Sequence, residues 1–319
     1  MKALIAIDGS RESSNAVDLA ASLDWAPGSR LEILTVAPTD VDLYGGPFAE
    51  FEDFGPMDEL HRRMKSERDA ILNEAVARLG RDDLDVSARS PEGGPASMIV
   101  WEADWMSADL IILGARGHGA VERVLIGSTS SEVVDRAHCP VLVARGSQAR
   151  RILVGTDGSD QAMSAVSFVA ESGLFRSAEV RVVHSVDLQP AWWLGFAAES
   201  ASITSEAYDS ALAAAREHAA TVTSMACAAL EATGLTASTC VREGRPAAVI
   251  VDEAATWHAD LVVVGTRGHG IIKEMFLGST ARSVLQRSST SVLITRGSPT
   301  ALRAAKQPSG SASAEPAHA

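Results

Sequence analysis

Two stretches of this chain carry glycines at a spacing suited to holding an anion. Gly114-Ala115-Arg116-Gly117-His118-Gly119 follows an apolar run ending at Leu113, and Gly127-Ser128-Thr129 opens a helical pattern beyond it. The same arrangement returns as Gly265-Thr266-Arg267-Gly268-His269-Gly270 and then Gly278-Ser279-Thr280. Both fit G-x2-G-x9-G-S. The first two glycines remove side chains where backbone must turn and approach a ligand closely. The third glycine and the serine stand where a helix begins, a place of unpaired N–H groups and positive dipole. Ser128 and Ser279 are placed either to cap that helix or to donate a hydroxyl to a phosphate oxygen. A tight strand-to-helix turn that binds nothing is the competing reading; two intact copies weigh against it.

Other reactive residues are sparser. Asp8 and Asp157 each end an apolar run and precede Gly-Ser, where a carboxylate meets ligand or simply makes a turn; position at a strand's carboxyl end favours the ligand. His118 and His269 have no carboxylate or serine at the spacing of a triad and read as loop residues beside phosphate. Arg116, Arg267 and Lys273 either neutralise a phosphate or remain solvated. Cys139, Cys227 and Cys240 are odd in number and lack CxxC spacing, which argues against zinc or a disulfide framework and for small buried side chains in a reducing compartment.

The elements that must position these residues come in two sets. Ala3-Leu4-Ile5-Ala6-Ile7-Asp8-Gly9-Ser10 returns as Ile152-Leu153-Val154-Gly155-Thr156-Asp157-Gly158-Ser159. Glu92-Gly93-Gly94-Pro95-Ala96 returns as Glu243-Gly244-Arg245-Pro246-Ala247, and Val141-Leu142-Val143-Ala144-Arg145-Gly146-Ser147 as Val292-Leu293-Ile294-Thr295-Arg296-Gly297-Ser298. A period of roughly half the chain makes each copy a whole domain, not a solenoid unit. The expected domains are 1–147 and 150–298, with 299–319 a disordered tail lacking apolar periodicity.

Strand candidates in the first copy are 3–7, 31–36, 84–88, 109–113 and 140–144, nearly unbroken Val, Ile and Leu as in sheets covered on both faces. Ala16, Val17, Leu19, Ala20 and Leu23 follow helical spacing between them, as do Met64, Ile71, Leu72, Ala75, Val76 and Leu79. Alternating strands and helices imply α/β architecture: two Rossmann-like domains in tandem, each a five-stranded parallel sheet flanked by helices. Segment 38–58, with Phe48, Phe51 and Phe54, reads as a long loop, and Trp192, Trp193 and Phe196 hold its place in the second copy.

Taken together, these motifs resemble the universal stress protein family, specifically its tandem-domain, ATP-binding members. The resemblance spans residues 1–298, twice over. It implies an ATP site in each copy, with Asp8 and Asp157 at the adenosine end, Val36 and Ser185 offering backbone to adenine, and Gly114, Gly117, Gly127, Ser128, Gly265, Gly268, Gly278 and Ser279 around ribose and phosphates. It also implies Mg2+ on the phosphates, although no metal-ligand constellation is visible in the sequence. Strand order 3-2-1-4-5 and edge-to-edge meeting of strands 140–144 and 291–295, an intramolecular pseudo-dimer, follow from the same resemblance, with a homodimer and an unidentified protein partner as further expectations.

Composition narrows the alternatives. A net charge of −13 disfavours nucleic acid and anionic membranes as partners. The initial apolar run stops at Asp8, and the Ala-rich stretch 211–230 is broken by Arg216, Glu217 and His218, so a cytoplasmic location is expected. No Walker A lysine is present, and the glycines follow the fourth strand rather than the first, unlike a dinucleotide fingerprint. The Ser-Gly-Gly-x-Asp-Ser of adenylating enzymes is missing too. The favoured function is a non-enzymatic, ATP-binding regulator of stress response; slow ATP hydrolysis, autophosphorylation, or an adaptor without nucleotide are the rivals.

Overall fold

The computed structural model of the chain describes residues 1–37, 57–117, 126–188, 205–266 and 277–296. Most of segment 38–58, Trp192, Trp193, Phe196 and the tail 299–319 lie outside the described residues; of 38–58, only the last two positions enter, as the start of a helix at Met57.

The apolar runs become strands β1 (Lys2–Ala6), β2 (Arg30–Leu34), β3 (Asp85–Arg89), β4 (Leu110–Gly114) and β5 (Val141–Ala144) in the first half. The second half supplies β6 (Arg151–Gly155), β7 (Glu179–Val186), β8 (Thr236–Glu243), β9 (Leu261–Gly265) and β10 (Ser291–Thr295). Between them run α1 (Arg11–Ser22), α2 (Met57–Leu79), α3 (Pro95–Trp105), α4 (Ser128–Arg136), α5 (Asp160–Glu171), α6 (Ser205–Glu231), α7 (Pro246–Thr256) and α8 (Ser279–Arg287).

The ten strands form one sheet in the order β3-β2-β1-β4-β5-β10-β9-β6-β7-β8. Each half is parallel with internal order 3-2-1-4-5, so the expected α/β architecture is present. The halves join where β5 and β10 pair antiparallel, with Val143 opposite Val292, Leu142 opposite Leu293 and Val141 opposite Ile294. Leu142 and Leu293 hold the same place in the two repeats, so a local two-fold runs through that pair. The seam is thus isologous, as in a symmetric dimer, but within one chain.

Helices cover both faces. Ala16, Val17, Leu19 and Ala20 of α1 and Leu72, Ala75 and Leu79 of α2 pack with Ile5, Leu31 and Ile33 on one face, joined there by α5 and α6. Ile99 and Ala103 of α3 and Val133 and Val134 of α4 pack on Leu4, Leu34 and Ile111 on the other, joined by α7 and α8. Strands sandwiched in this way need apolar side chains on both sides, which explains the Val, Ile and Leu of the central strands. The edge strands β3 and β8 are covered less and are largely polar and exposed, unlike the apolar run expected at 84–88.

One face contains an exception. Glu32 of β2 and Glu102 of α3 have side chains only 1% exposed, with Arg89 Nη1 at 3.1 Å from Glu102 and 3.8 Å from Glu32. Burial pushes the Glu102 carboxyl up, Arg89 draws it back, and Glu32 adds to the push. In the second half Arg181 occupies the place of Glu32. Burial pushes Glu253 up as well, but hydrogen bonds from Arg181 and Arg242 reverse the effect and hold its carboxyl low. Because folding raises the Glu102 pKa, its favourable contribution exists below the unfolded pKa and is lost as pH rises through the folded one. Glu32→Gln is therefore expected to stabilise the chain at pH 7 by about 1 kcal/mol, a gain that shrinks on acidification. Urea unfolding at pH 7 and pH 4 checks this; equal or opposite effects would contradict the assignment.

Candidate nucleotide-binding site

The carboxyl ends of β1, β2 and β4 open onto a cavity of about 450 Å³. Asp8 enters it beyond β1, Val36 beyond β2, Gly114 at the end of β4, and Arg116 and Gly117 beyond β4. Gly127, Ser128, Thr129 and Ser130 close it from the first turn of α4, with Pro95 and Ile99 of α3 alongside. All six first-copy residues expected at the site, Asp8, Val36, Gly114, Gly117, Gly127 and Ser128, line this one space. Its volume lies in the range of small-ligand clefts.

Each residue is held by the fold. The Asp8 Oδ1 accepts the Ser10 amide at 3.0 Å. Ser10 itself caps α1, its hydroxyl accepting the Ser13 amide at 3.2 Å. Beyond β2, Thr35 N donates to Arg89 O at 3.1 Å and Ala37 N to Pro91 O at 2.8 Å. Successive residues of a parallel strand direct their backbone groups to opposite sides. The Val36 amide and carbonyl accordingly face away from β3, toward the cleft beyond the end of β1.

Helix α4 starts differently from α1. Its N-cap is Gly127, with no side-chain hydrogen bond on the first turn. Ser128 is therefore the first helical residue, not the cap, and stands exposed toward the cavity. Gly127 N donates to Ala115 O at 2.7 Å, fastening the helix start to the end of β4. The Ser130 hydroxyl, buried, donates to Gly114 O at 2.8 Å. A first turn whose N–H groups lack a side-chain acceptor is a place for an anion.

The two leading glycines have distinct reasons to be glycine. A Cβ on Gly114 would stand 2.7 Å from the Glu12 carbonyl carbon and 2.9 Å from Ser13 N, so this glycine lets β4 touch the backbone of α1. A methyl group on Gly117 would instead overlap Asp8 Oδ2. Gly117 thus makes room for the carboxylate inside the site. The guanidinium of Arg116 lines the cavity and pairs with Glu12 at 3.1 Å.

In the second half, β6 and β7 pair Gly155 with Val183 as β1 and β2 pair Ala6 with Leu34. Two residues further on, Ser185 takes the place of Val36, as expected. Its hydroxyl donates to Gly244 O. The Asp157 Oδ1 accepts the Ser159 amide at 3.0 Å and hydroxyl at 2.6 Å. Gly265 packs on the Gln161 backbone as Gly114 does on Glu12, and Gly278 caps α8 with its N–H on Thr266 O at 2.7 Å. Ser279, like Ser128, is the first residue of its helix. Gly268, Arg267, His269, Lys273 and, in the first copy, His118 lie outside the described residues.

Sequence reasoning overlooked several lining residues: Ser13, Pro95, Ile99, Thr129 and Ser130. Pro95 and Ile99 were signalled by the repeated Gly-x-Pro phrase, and Ser130 by its place in the turn after Gly127. Among the described residues, no group of three or more His, Cys, Asp or Glu could hold a metal ion, and no helix is long and apolar enough to cross a membrane. Cys139 and Cys227 are buried, and Cys240 is half-buried.

A duplicated parallel α/β fold with a glycine-lined cleft at the strand ends of the first half defines the class of this chain. The universal stress protein family model matches the chain twice, over residues 1–145 and 148–296. The chain belongs to the universal stress protein family. A universal stress protein of Mycobacterium tuberculosis is 29% identical over 307 residues, covering 92% of this chain and 97% of the relative. One from Thermus aquaticus is 36% identical over 144 residues, covering 44% of this chain and 96% of the relative. The crystal structure of a universal stress protein from Archaeoglobus fulgidus shares the fold with a TM-score of 0.59 at 19% identity, covering 94% of this chain and 97% of that one.

The glycine geometry has a direct test. Gly114→Ala should lower stability by about 1–3 kcal/mol, because backbone has to move. Gly117→Ala should cost less, since only a carboxylate swings aside. Urea unfolding of both variants decides; a larger loss for Gly117→Ala would refute the division of roles.

Proposed function

We propose that this chain is a cytoplasmic, non-enzymatic regulator that binds ATP in a cleft of each half, 1–147 and 150–298. The observation that carries this reading is the convergence of Asp8, Val36, Gly117 and the open first turn of α4 on a single cavity. The amides of the α4 turn, with the Ser128 hydroxyl, would hold the phosphates by charge-assisted hydrogen bonds. Val36 would present backbone to the adenine edge, with Pro95 and Ile99 as apolar wall, and Asp8 would accept from the ribose hydroxyls. Asp157, Ser185, Gly265, Gly268, Gly278 and Ser279 would do the same in the second half.

A bound nucleotide supplies the compact anion that the helix start lacks. Mg2+ would travel with the phosphates rather than reside in a protein cage. Binding without turnover is supported by the lining: among the described residues of the cavity the one carboxylate is Asp8, already engaged by the Ser10 amide. Nucleotide occupancy would then stabilise the nucleotide-bound state by mass action and so act on partner choice.

Mass spectrometry of the small molecules that copurify with the full chain is expected to find adenine nucleotide, and incubation with ATP to return it intact. Gly117→Ala with Gly268→Ala should weaken ATP binding tenfold or more, about one charge-assisted hydrogen bond per site. Sustained phosphate release would make the protein an ATPase instead. Unchanged affinity in the folded double variant would overturn the motif assignment.

A further inference from the structure

The first cleft opens at the start of α4 and its proposed counterpart at the start of α8, and each of these helices is reached near its far end by an arginine from across the seam. Arg145, just past β5 in the first half, reaches into the second: its Nη2 donates to Leu285 O at 2.7 Å and its Nη1 to Thr290 O at 3.3 Å, at and just beyond the end of α8. Arg296, just past β10, returns the contact, its Nη2 donating to Val134 O and, at 3.4 Å, to Asp135 O at the end of α4. Arg282 of α8 pairs with Asp135 of α4 at 2.8 Å between them. Each helix that starts at one half's cleft is therefore finished by a guanidinium from the other half.

Arg145 is also tied by its backbone to α1 of its own half and to β10 of the other. Its carbonyl accepts from Asn15 Nδ2 of α1 at 3.2 Å, and its amide donates to the Ser291 hydroxyl of β10 at 3.0 Å. Ala115 N donates to Ala144 O at 2.9 Å, so Arg116, which lines the first cleft, and Arg145 leave neighbouring strand ends together. Burial first and repulsion from Arg116 second lower the Arg145 pKa to about 10. The guanidinium remains charged at neutral pH, so it feels Arg116 on one side and the α8 carbonyls on the other.

We propose that the two clefts are coupled through these crossed arginines, so that an anionic nucleotide bound in one raises the affinity of the other. This rests on the reading of both clefts as ATP sites. The sign follows from charge. Phosphate beside Arg116 offsets its repulsion of Arg145, which then settles more firmly on the carboxyl end of α8. A cation there favours a helix dipole whose positive start receives the second phosphate. By linkage the effect runs equally in reverse. The pairs Arg145–α8 and Arg296–α4 are related by the seam's two-fold, while Arg267, the counterpart of Arg116, lies outside the described residues.

The coupling is read from ATP titrations of the full chain by calorimetry. Val36→Trp and Ser185→Trp, each filling one cleft at its adenine end and distant from the arginines, leave one site apiece. In the native chain the product of the two stepwise association constants should exceed the product of the two single-site constants about two- to fivefold. With Arg145→Met and Arg296→Met introduced into all three chains, that ratio should fall to one. A general structural role for the arginines would shift every affinity yet leave the ratio in place. A ratio of one in the native chain, with both single-site chains binding ATP, overturns the coupling and spares the nucleotide reading; that measurement needs no arginine variant. A ratio that survives both arginine substitutions overturns the proposed route. Absence of ATP binding in the native and single-site chains overturns the nucleotide reading and the coupling with it.

Discussion

Among the described residues no side chain caps the first turn of α4, and backbone and hydroxyl bonds from the end of β4 hold that turn in place. Helix α1, whose start also adjoins the cleft, shows the ordinary alternative: Ser10 satisfies its first turn from within the protein. At α4 the equivalent position is Gly127, which has no side chain to offer. The helix start cannot drift, because the Gly127 amide is bound to Ala115 O and the Ser130 hydroxyl to Gly114 O. An open turn fixed at both strand and helix is organised for an anion before one arrives, which lowers the ordering cost of binding.

That fixity depends in turn on close packing at the end of β4. Gly114 permits contact between β4 and the α1 backbone, and so sets the distance between the Asp8 side and the α4 side of the cleft. The same contact recurs between Gly265 and Gln161. The antiparallel pairing of β5 with β10 then removes what would be an open sheet edge in either half alone. It also brings α4 and α8 close enough for Arg282, near the start of α8, to reach Asp135, near the end of α4.

Much of this was legible in the residues. The duplication, the alternation of strands and helices and the motif glycines follow from repeated phrases whose periodicity and glycine content have direct physical meaning. Strand order, the seam and the places of Asp8 and Val36 were instead implied by the family resemblance. Less was legible where a residue's reason lies in a neighbour distant in sequence. Gly114 and Gly117 belong to one motif, yet one accommodates helix backbone and the other a carboxylate, and spacing does not distinguish them. Ser128 reads as a cap because serine is a good one, but the preceding Gly127 takes that position. The arginines of the repeated Arg-Gly-Ser phrase were visible at 145 and 296; that each crosses the seam to the other half's helix depends on an antiparallel pairing that no local pattern encodes.

The halves share a plan but differ in how they hold charge, and the difference bears on what the duplication has preserved. Glu32 and Arg181 occupy one position with opposite sign, leaving Glu102 beside another carboxylate and Glu253 between two guanidinium groups. Ser130 anchors the first helix start through its hydroxyl, whereas Ala281 stands at that place in the second. Glu12, partner of Arg116, gives way to Gln161. By contrast, both aspartates bind the amide two residues ahead, both capping glycines hold the same backbone carbonyl, and both terminal arginines cross the seam. The surroundings have diverged while the carboxylate, the open helix start and the crossing guanidinium are kept. That pattern supports the proposed anion site at each helix start.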